Sequence, residues 1–404
     1  MNIGERRFSR HCVAALVAAA LLVSGAFGAT IIVPDNYSTI QEALDASNPI
    51  DTILVRPGIY NENLVFPSWD IVLISEMGAM KTIIDGMSSG RVVTFTNGTG
   101  VGSVLSGFTL TNGTSTYGGG LYLDDAILTL ENNLIVGNTA SLYGGGVRCE
   151  DFATLILVNN TIVNNQAEFG GGFYGGEDSI STIVNSIFWN NSAPQNQGHE
   201  IYVGLGTVDV SYCDVEGGQA EVSDTSGGTL VWGSGNIDAN PEFIAAAIGD
   251  FHIELDSPCR DAGNIGAVHV PVLDFEGDPR IADDFVDMGA DEYHIHLYCR
   301  GDIIPSTPID IMVVGLPVKP ISLLLSDQYL DPPMPTLFGD LYLAPPFLYE
   351  GFIGKTHSID GWRKLTVTVP AQWQLGDTYY IQARVGAWYD LEAALTNPVI
   401  LSVK

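Results

Sequence analysis

The residues with the clearest chemical potential recur at a spacing of 26 residues. Tyr122, Arg148 and Tyr174 follow this spacing. Aromatic rings provide flat apolar surfaces for stacking, and an arginine pairs with carboxylates and other anions. If these residues stack on one face, the Tyr–Arg–Tyr stripe predicts a saccharide-binding groove, with Arg148 as the anion partner.

A pair of acids stands just beyond each member of the stripe. The pairs are Asp124–Asp125, Glu150–Asp151 and Glu177–Asp178. On tiers ~4.8 Å apart, like charges repel by ~1 kcal/mol in water and by ~3–4 kcal/mol at an effective dielectric constant of about 20. The acids must therefore face solvent, shift their pKa values or hold a cation, and Ca²⁺ is the expected ion. The alternative is that the acids are ordinary exposed turn residues and that the stripe is structural.

Two further markers hold the same period. Glycine triplets begin at Gly118, Gly144 and Gly170, each after an aromatic residue. Asparagines close four aligned segments at Asn112, Asn138, Asn165 and Asn191. Such glycines indicate a turn with positive φ or a close approach of backbones, and stacked asparagines predict a ladder of side-chain amides.

Each repeat contains short β-branched runs and no segment long enough for a helix. A repeat of 26 residues accommodates about three short strands, and one such coil buries its apolar side chains only by stacking on the next. We therefore predict an all-β fold, a right-handed single-stranded parallel β-helix. A β-propeller is the competing repeat fold, but the repeat is too short for a four-stranded blade.

The segment Ser38–Gln41 reads as a capping box that opens a short helix to about Ser47, with Ile40, Ala43 and Leu44 on one face. This opening, with Asp51-Thr-Ile-Leu-Val and the following Pro-Gly-Ile-Tyr-x-Glu62, resembles the bacterial parallel β-helix repeat proteins of the pectin-lyase-like superfamily. The stretch Gly249–Tyr293 resembles the end module of choice-of-anchor exported proteins. The resemblance implies a β-helix with a helical N-terminal cap and a C-terminal capping module over residues 29–296.

From residue 297 the period disappears and short strands alternate with Pro and Gly turns. The expected strands are Ile309–Val314, Ile321–Leu325, Leu341–Ala344, Leu365–Val369, Tyr379–Ala383 and Val399–Val403. Their number predicts an immunoglobulin-like β-sandwich over residues 297–404.

Residues 1–28 read as a Sec-type signal peptide, with Arg6, Arg7 and Arg10 before an apolar run; an uncleaved membrane anchor is the alternative. Cleavage leaves 13 basic and 46 acidic residues. Such an acidic chain repels nucleic acid and anionic membranes. We expect a secreted or cell-surface monomer, without membrane insertion, whose partner is a polysaccharide or a cell-surface component.

Few other residues point to chemistry. Cys259 with Cys299 is the one disulfide pairing considered. His294 and His296 beside Asp291 and Glu292 offer a weak metal motif, and His199 and His252 look isolated and structural. The catalytic signatures of pectate lyases, polygalacturonases and pectin methylesterases are absent from the sequence. We therefore expect a noncatalytic binding protein, with a polysaccharide lyase or glycoside hydrolase as the alternative.

Overall fold

A computed structural model describes residues 28–293, except 97–101, 195–196, 225–226, 255, 277–279 and 282–284. Beyond residue 293 it describes the backbone of the strands alone. The predicted signal peptide, His294 and His296 therefore lie outside the described residues. The chain divides into one unit that ends at Tyr293 and a second that begins at His294.

The first unit is built from short strands. In chain order they are β1 (Thr30–Val33), β2 (Thr52–Val55), β3 (Gly58–Asn61), β4 (Leu64–Val65), β5 (Val72–Ser75), β6 (Thr82–Asp85), β7 (Val93–Thr96), β8 (Ser103–Ser106), β9 (Thr109–Thr111), β10 (Thr114–Tyr117), β11 (Leu121–Asp124), β12 (Ile127–Glu131), β13 (Leu134–Val136), β14 (Thr139–Tyr143), β15 (Val147–Glu150), β16 (Thr154–Val158), β17 (Thr161–Val163), β18 (Phe173–Gly175), β19 (Ile180–Val184), β20 (Ile187–Trp189), β21 (Ile201–Val203), β22 (Thr207–Ser211), β23 (Asp214–Val215), β24 (Thr229–Trp232), β25 (Phe243–Ala245) and β26 (Asp250–Ile253). The helices are α1 (Ile40–Ala46), the single turn α2 (Gly218–Glu221) and the 3₁₀ turn Ala246–Ile248.

Most of these strands form three parallel sheets that run along a solenoid, while β10 pairs with β14 and β25 pairs with β26 in separate two-stranded sheets. The first sheet has the order β1-β2-β5-β8-β12-β16-β19-β22-β24, the second β21-β18-β15-β11-β7-β4, and the third β23-β20-β17-β13-β9-β6-β3. A complete coil contributes one strand to each sheet, and the coils at the two ends contribute fewer. The result is a right-handed type of parallel β-solenoid with about seven turns. The predicted parallel β-helix fold is confirmed.

The interior of the solenoid is one continuous apolar column. Strand residues alternate between the interior and the outside, so that Leu121 and Leu123 of β11 are buried while Tyr122 is partly exposed. Inward side chains from Val33 to Val222 form a single core. Each coil therefore depends on the coils above and below it for burial.

The glycine triplets have both of the expected roles. Gly144 has φ +66°, a left-handed conformation that costs other residues roughly 1–2 kcal/mol. A Cβ on Gly145 would stand 2.4 Å from the carbonyl oxygen of Gly171 in the next coil. The triplet thus turns the chain and permits the backbones of successive coils to approach closely.

A ladder of buried asparagines runs beside the triplets. Asn138 Nδ2 donates to Asn165 Oδ1 (3.0 Å), and Asn165 Nδ2 donates to Asn191 Oδ1 (2.9 Å). The backbone N–H of each donor residue also reaches the same oxygen. The predicted ladder is present, but the expectation for Asn112 is wrong. The first coil is one residue shorter, so the N–H of Gly113 meets Asn138 Oδ1 (2.8 Å) and exposed Asn112 donates to Asp85 instead (2.9 Å).

Glu200 ends the ladder. It stands where the fourth triplet, Gly198-His199-Glu200, departs from glycine, and its carboxyl group accepts from the backbone N–H (3.0 Å) and the side-chain amide of Asn191. In the earlier coils a Cβ at the third glycine would lie 3.0–3.1 Å from the asparagine amide. The register of β20 with β23 places Gly218 at the position after Asn191 in the ladder, so the next amide is missing and a glutamate side chain satisfies Asn191.

The N-terminal helix forms, but its capping residues differ from the prediction. Thr39, not Ser38, is the N-cap and accepts from Glu42 N (3.1 Å), while Glu42 Oε2 accepts from Ser38 N (3.1 Å). The Glu62 carboxylate accepts from the N–H groups of Ile40 and Gln41, both at 2.9 Å. The expected buried face of Ile40, Ala43 and Leu44 is confirmed.

The segment after β24 lies along the flank of the solenoid. Asn132, Asn159 and Asn185 occupy left-handed positions in successive coils, and their amides donate to the carbonyls of Leu273, Asp287 and Asn264. Apolar side chains of the segment, including Phe251 and Phe275, pack on the outer side of the third sheet. This flank segment, residues 243–293, therefore contacts several coils.

The second unit contains antiparallel strands. They are β27 (Leu297–Arg300), β28 (Pro308–Val314), β29 (Pro320–Ser326), β30 (Tyr329–Thr336), β31 (Gly339–Leu343), β32 (Tyr349–Lys355), β33 (Trp362–Thr368), β34 (Thr378–Val385), β35 (Ala394–Leu395) and β36 (Val399–Ser402). They pair as β27-β28-β33, as β32-β29-β34-β35 with β36 also on β34, and as β30-β31. All six expected strands are present within a few residues, whereas the immunoglobulin-like arrangement stays a prediction.

The ladder predicts an unusual pH dependence at Glu200. Burial is the main reason that its pKa rises from the usual 4.5 to about 8. A raised folded-state pKa gives stability that is complete below pH 4.5 and is lost as the pH rises through about 8. Glu200→Gln supplies a neutral amide whose single oxygen can accept both Asn191 donors, as Asn191 Oδ1 itself does. We expect urea unfolding to show similar stability for both proteins at pH 4.5, and at pH 9 a gain for the variant on the order of 4 kcal/mol or less.

Exposed Glu242→Gln is the control for the loss of one carboxylate. As a substitution of an exposed residue, it should change the free energy of unfolding by no more than about 0.5 kcal/mol. A Glu200→Gln profile that keeps the wild-type slope between pH 5 and pH 9 contradicts the role of Glu200.

Candidate functional site

The second sheet brings the predicted stripe into register. Tyr122 pairs with Arg148, and Arg148 pairs with Tyr174. The column continues beyond the prediction to Tyr202, which pairs with Tyr174. The sequence repeat missed Tyr202 because that coil is 28 rather than 26 residues long.

A second aromatic column stands beside the first. Tyr117, Tyr143 and Phe169, the residues before the triplets, pair on adjacent coils. The rings of Tyr117 and Tyr143 are nearly parallel with centroids 5.8 Å apart, as are those of Tyr174 and Tyr202 at 5.4 Å. Because the rings stack along the solenoid axis, each covers part of its neighbour's face. Ring edges and hydroxyl groups therefore make up much of the surface that the two columns present.

Arg148 lies among these rings. Its guanidinium is 4.3 Å from the ring centre of Tyr117, 5.0 Å from that of Tyr143 and 5.5 Å from that of Tyr174. The residue is 6% exposed, and Glu150 is its ion-pair partner. Burial lowers the pKa of Arg148, although the neighbouring tyrosines act in the opposite direction. The guanidinium thus holds the aromatic columns together and already has an anion beside it.

The acid pairs stand in register on two of the three tiers. Asp124 pairs with Glu150 at the end of the second sheet, and the Asp125 N–H donates to the Asp151 carbonyl (2.9 Å). Asp125, Asp151 and Asp178 all have φ near +50°, a conformation that aspartate tolerates better than most residues. Their recurrence is thus accounted for by the turn itself.

The third pair is displaced from the other two. Cys149 pairs with Gly175, so Gly176 follows at the position that Asp124 and Glu150 hold. Glu177 and Asp178 therefore fall one residue later, in a longer turn. The expectation of three aligned tiers is wrong here, because the extra residue shifts the register.

The acids of the tiers differ in their electrostatics. Burial raises the pKa of Asp124, whereas the hydrogen bond that its carboxylate accepts from the Tyr122 hydroxyl (3.2 Å) lowers it. The negative charges of Asp151 and Asp125 raise this pKa further. Among the described residues, these six acids do not place three ligand atoms within 4.8 Å of one another. Calcium binding at the tiers stays a prediction.

A cavity that the sequence did not predict lies where the flank segment meets the third sheet. Its volume is about 280 Å³. It is lined by Val163, Asn164, Trp189, Asn190, Asn240, Glu242, Phe243, Ala246 and Phe251. Phe243 and Phe251 meet edge to face with centroids 5.2 Å apart. The lining therefore combines aromatic surfaces with three amides and a carboxylate.

The polar groups of the cavity are held in place by the fold. Asn190 Nδ2 donates to Asn164 Oδ1 across adjacent coils, and Asn240 Nδ2 donates to Glu242 Oε1 (3.3 Å). Trp189 extends the outward column Thr111–Val136–Val163 of the third sheet. The one sequence signal for the cavity was this change from small or β-branched residues to tryptophan.

A cluster of possible metal ligands also lies in the flank segment. One ligand atom from each of His252, Glu276 and Asp291 falls within 4.8 Å of the others. The expectation that His252 is isolated is thus wrong, because the fold of the flank segment brings distant acids to it. His199, by contrast, accepts a hydrogen bond from Ala193 N (3.2 Å), which agrees with a structural role.

The cysteines of the solenoid unit are buried thiols. Cys149, Cys213 and Cys259 are free, and Cys259 donates to Asp214 Oδ2 (3.1 Å). The side chain of Cys299 lies outside the described residues, so the pairing of Cys259 with Cys299 stays a prediction. Burial raises the pKa of Cys149 and of Cys213 to about 12.

No protein-family model matches the chain, and no curated protein is significantly similar to it. In the part of the chain that the structure describes, no helix is both long enough and apolar enough to span a membrane.

The burial of Arg148 predicts a large effect of its removal. Arg148→Ala removes the cation from among the rings of Tyr117, Tyr143 and Tyr174 and leaves Glu150 without its ion-pair partner. The loss of one partner of a buried ion pair costs about 3–5 kcal/mol, and we expect a decrease of this size in the free energy of unfolding in urea.

Arg56→Ala provides the matched control. Arg56 pairs with Asp35 at 2.6 Å, but both side chains are 46% exposed, and such surface pairs contribute about 1 kcal/mol or less. Equal small losses in the two variants would show that Arg148 does not hold the columns together.

Proposed function

We propose that this chain is an exported β-helix protein of the pectin-lyase-like type that binds carbohydrate without catalysing its cleavage. The proposal rests on one observation, the cavity beside Trp189. The signal-peptide pattern supports export, and the repeat and end-module motifs support the superfamily. The acidic composition favours a neutral glycan over nucleic acid or an anionic membrane.

The cavity has the chemistry that a sugar needs. A pyranose ring presents C–H groups on its faces and hydroxyl groups at its edge, so it is recognised by an aromatic surface together with donors and acceptors of hydrogen bonds. The aromatic surface comes from Trp189, Phe243 and Phe251. The donors and acceptors of hydrogen bonds come from the side chains of Asn164, Asn190, Asn240 and Glu242. A volume of about 280 Å³ is near the lower limit of small-molecule pockets, which suits the end of a glycan better than a long internal stretch.

Binding is better supported than hydrolysis at this position. Glycoside hydrolysis commonly uses two carboxyl groups that flank the scissile bond. Among the described lining residues, Glu242 is the one carboxylate, and Asn240 donates a hydrogen bond to it. Glu242 is therefore better placed to accept hydrogen bonds from sugar hydroxyls than to share acid–base catalysis.

The tyrosine columns form a second surface for the same kind of ligand. Their hydroxyl groups and the Asp124 carboxylate can exchange hydrogen bonds with sugar hydroxyls, and a partner protein on the cell surface is the other occupant we consider. The C-terminal unit is proposed to be an immunoglobulin-like sandwich that attaches or presents the solenoid.

The two surfaces can be separated by a glycan array followed by calorimetry with the best ligand. In Trp189→Ala we expect binding to weaken at least tenfold, because the change removes an aromatic wall of the cavity. Glu242→Gln should weaken binding about tenfold, because an amide of the same size replaces the carboxylate that accepts hydrogen bonds from sugar hydroxyls. Tyr122→Phe with Tyr174→Phe should leave the affinity within about twofold, since these hydroxyls lie on another sheet.

Thr111→Ala is the control for the cavity variants. Thr111 occupies the same outward column as Trp189 but does not line the cavity. The glycan affinity of the Thr111→Ala variant should therefore equal that of the wild type. An array without any bound glycan, or binding that survives Trp189→Ala and Glu242→Gln but is lost in the tyrosine variant, contradicts the assignment to the cavity.

A further inference from the structure

The flank segment folds back on itself so that three of its stretches meet at His252. Strand β26 supplies Asp250 and His252, the turn after Phe275 supplies Glu276, and the end of the segment supplies Asp291. The ring of His252 meets the edge of Phe275, with centroids 5.0 Å apart, and the backbone N–H of Ile253 donates to Asp291 Oδ2 (2.7 Å). These contacts fix the orientation of both ligand groups.

The two nitrogens of His252 face different carboxylates. Nδ1 lies 2.5 Å from Asp250 Oδ1, and Nε2 lies 3.0 Å from Glu276 Oε2. A carboxylate on one ring nitrogen is the arrangement that orients a metal-bound histidine and makes its other nitrogen a better ligand. Two ligands about 2.0–2.1 Å from one ion stand roughly 3.0–3.4 Å apart, a separation that Nε2 and Oε2 already have.

Asp291 completes the cluster from a buried position. The residue is 3% exposed. Its Oδ2 accepts from Ile253, whereas Oδ1 has no hydrogen-bond partner among the residues that the structure describes. A buried carboxylate oxygen without a donor is costly, and an ion within reach of Oδ1, Glu276 and His252 Nε2 would satisfy it.

The charges of the cluster also call for a cation. Asp250, Glu276 and Asp291 surround a single histidine that is 4% exposed, and Asp274 adds a further negative charge near Asp291. A divalent ion would offset the negative charge that these carboxylates bring together around one imidazole.

We propose that His252 Nε2, Glu276 and Asp291 form a structural site for a divalent transition-metal ion of the Zn²⁺ type. Asp250 is the positioning residue that holds the imidazole. The nitrogen ligand favours Zn²⁺ over Ca²⁺, which prefers oxygen donors alone. Bound there, the ion would tie three stretches of the flank segment to one another. The site is separate from the cavity proposed for carbohydrate, and the metal proposal does not depend on the carbohydrate proposal.

The test uses the full chain, stripped with a chelator and titrated with Zn²⁺ and, separately, Ca²⁺. We expect one Zn²⁺ per chain by elemental analysis, a higher unfolding temperature with Zn²⁺, and no such effect with an equal concentration of Ca²⁺. In Glu276→Gln and Asp291→Asn the Zn²⁺ affinity should fall about 100-fold or more, and in Asp250→Asn about 10- to 100-fold.

Asp151→Asn is the matched control, because it removes a carboxylate at the acid tiers and keeps a residue that tolerates positive φ. It should bind Zn²⁺ like the wild type. Wild-type protein that binds no Zn²⁺, or folded Glu276→Gln protein that binds it with unchanged affinity, overturns the proposal.

A spectroscopic measurement on the wild type does not depend on the folding of any variant. Co²⁺ should replace Zn²⁺, and X-ray absorption at its edge should show one imidazole nitrogen with carboxylate oxygens. A cobalt shell without an imidazole nitrogen excludes His252 as a ligand and overturns the assignment.

Discussion

The solenoid depends on the hydrogen bonding of polar groups buried between its coils. A coil places its turn amides against the next coil, where water does not reach them, so each needs a partner within the chain. Asn165 shows how completely this is met. Its oxygen accepts two N–H groups from Asn138, its amide donates to Asn191 Oδ1 and to the Ile135 carbonyl (2.9 Å), and the residue is fully buried. The ladder holds the coils in one register, and glycine is required beside it because any larger residue would collide with the amides or with the next backbone.

That register determines the outer surface. Once Asn138, Asn165 and Asn191 are stacked, the register of the strands is set as well. The outward residues of successive strands therefore lie in columns. One column becomes the tyrosines around Arg148. Another ends at Trp189, where the flank segment closes a cavity against it. A third column of left-handed asparagines donates to the backbone of the flank segment and so fixes where that segment lies.

The sequence was sufficient to predict what repeats. The period of 26 residues gave the parallel β-helix, the inward and outward alternation and the register of Tyr122 with Arg148 and Tyr174. Predictions made from this period were less reliable wherever a coil had a different length. A shorter coil removed Asn112 from the ladder, a longer turn displaced Glu177 and Asp178, and a longer coil hid Tyr202. Each is a change of one or two residues, which spacing alone does not assign to a particular turn.

Features that join distant parts of the chain were not predictable from one sequence. Arg280 is fully buried and bonds Asn132 Oδ1 (2.7 Å), 148 residues away. His252 meets Glu276 and Asp291, and Trp189 meets Phe243 and Phe251, only because the flank segment returns along the coils. No period relates these residues, and contacts of this kind follow from tertiary packing. Glu200 had a visible signal, since it replaces glycine in the fourth triplet, but its role requires knowing that the next asparagine is missing.

The claim that the buried ladder holds the coils together is tested most directly by comparing Asn165→Ala with its exposed neighbour Gln166→Ala in urea unfolding. Removing Asn165 takes the acceptor from the backbone N–H and the side-chain amide of Asn138, and it takes one donor from the Ile135 carbonyl, all in a dry interior. Each buried group left without a partner costs about 1–3 kcal/mol. We predict a loss of at least about 3 kcal/mol for Asn165→Ala and a change within about 0.5 kcal/mol for Gln166→Ala. Small and equal effects in the two variants would contradict the account.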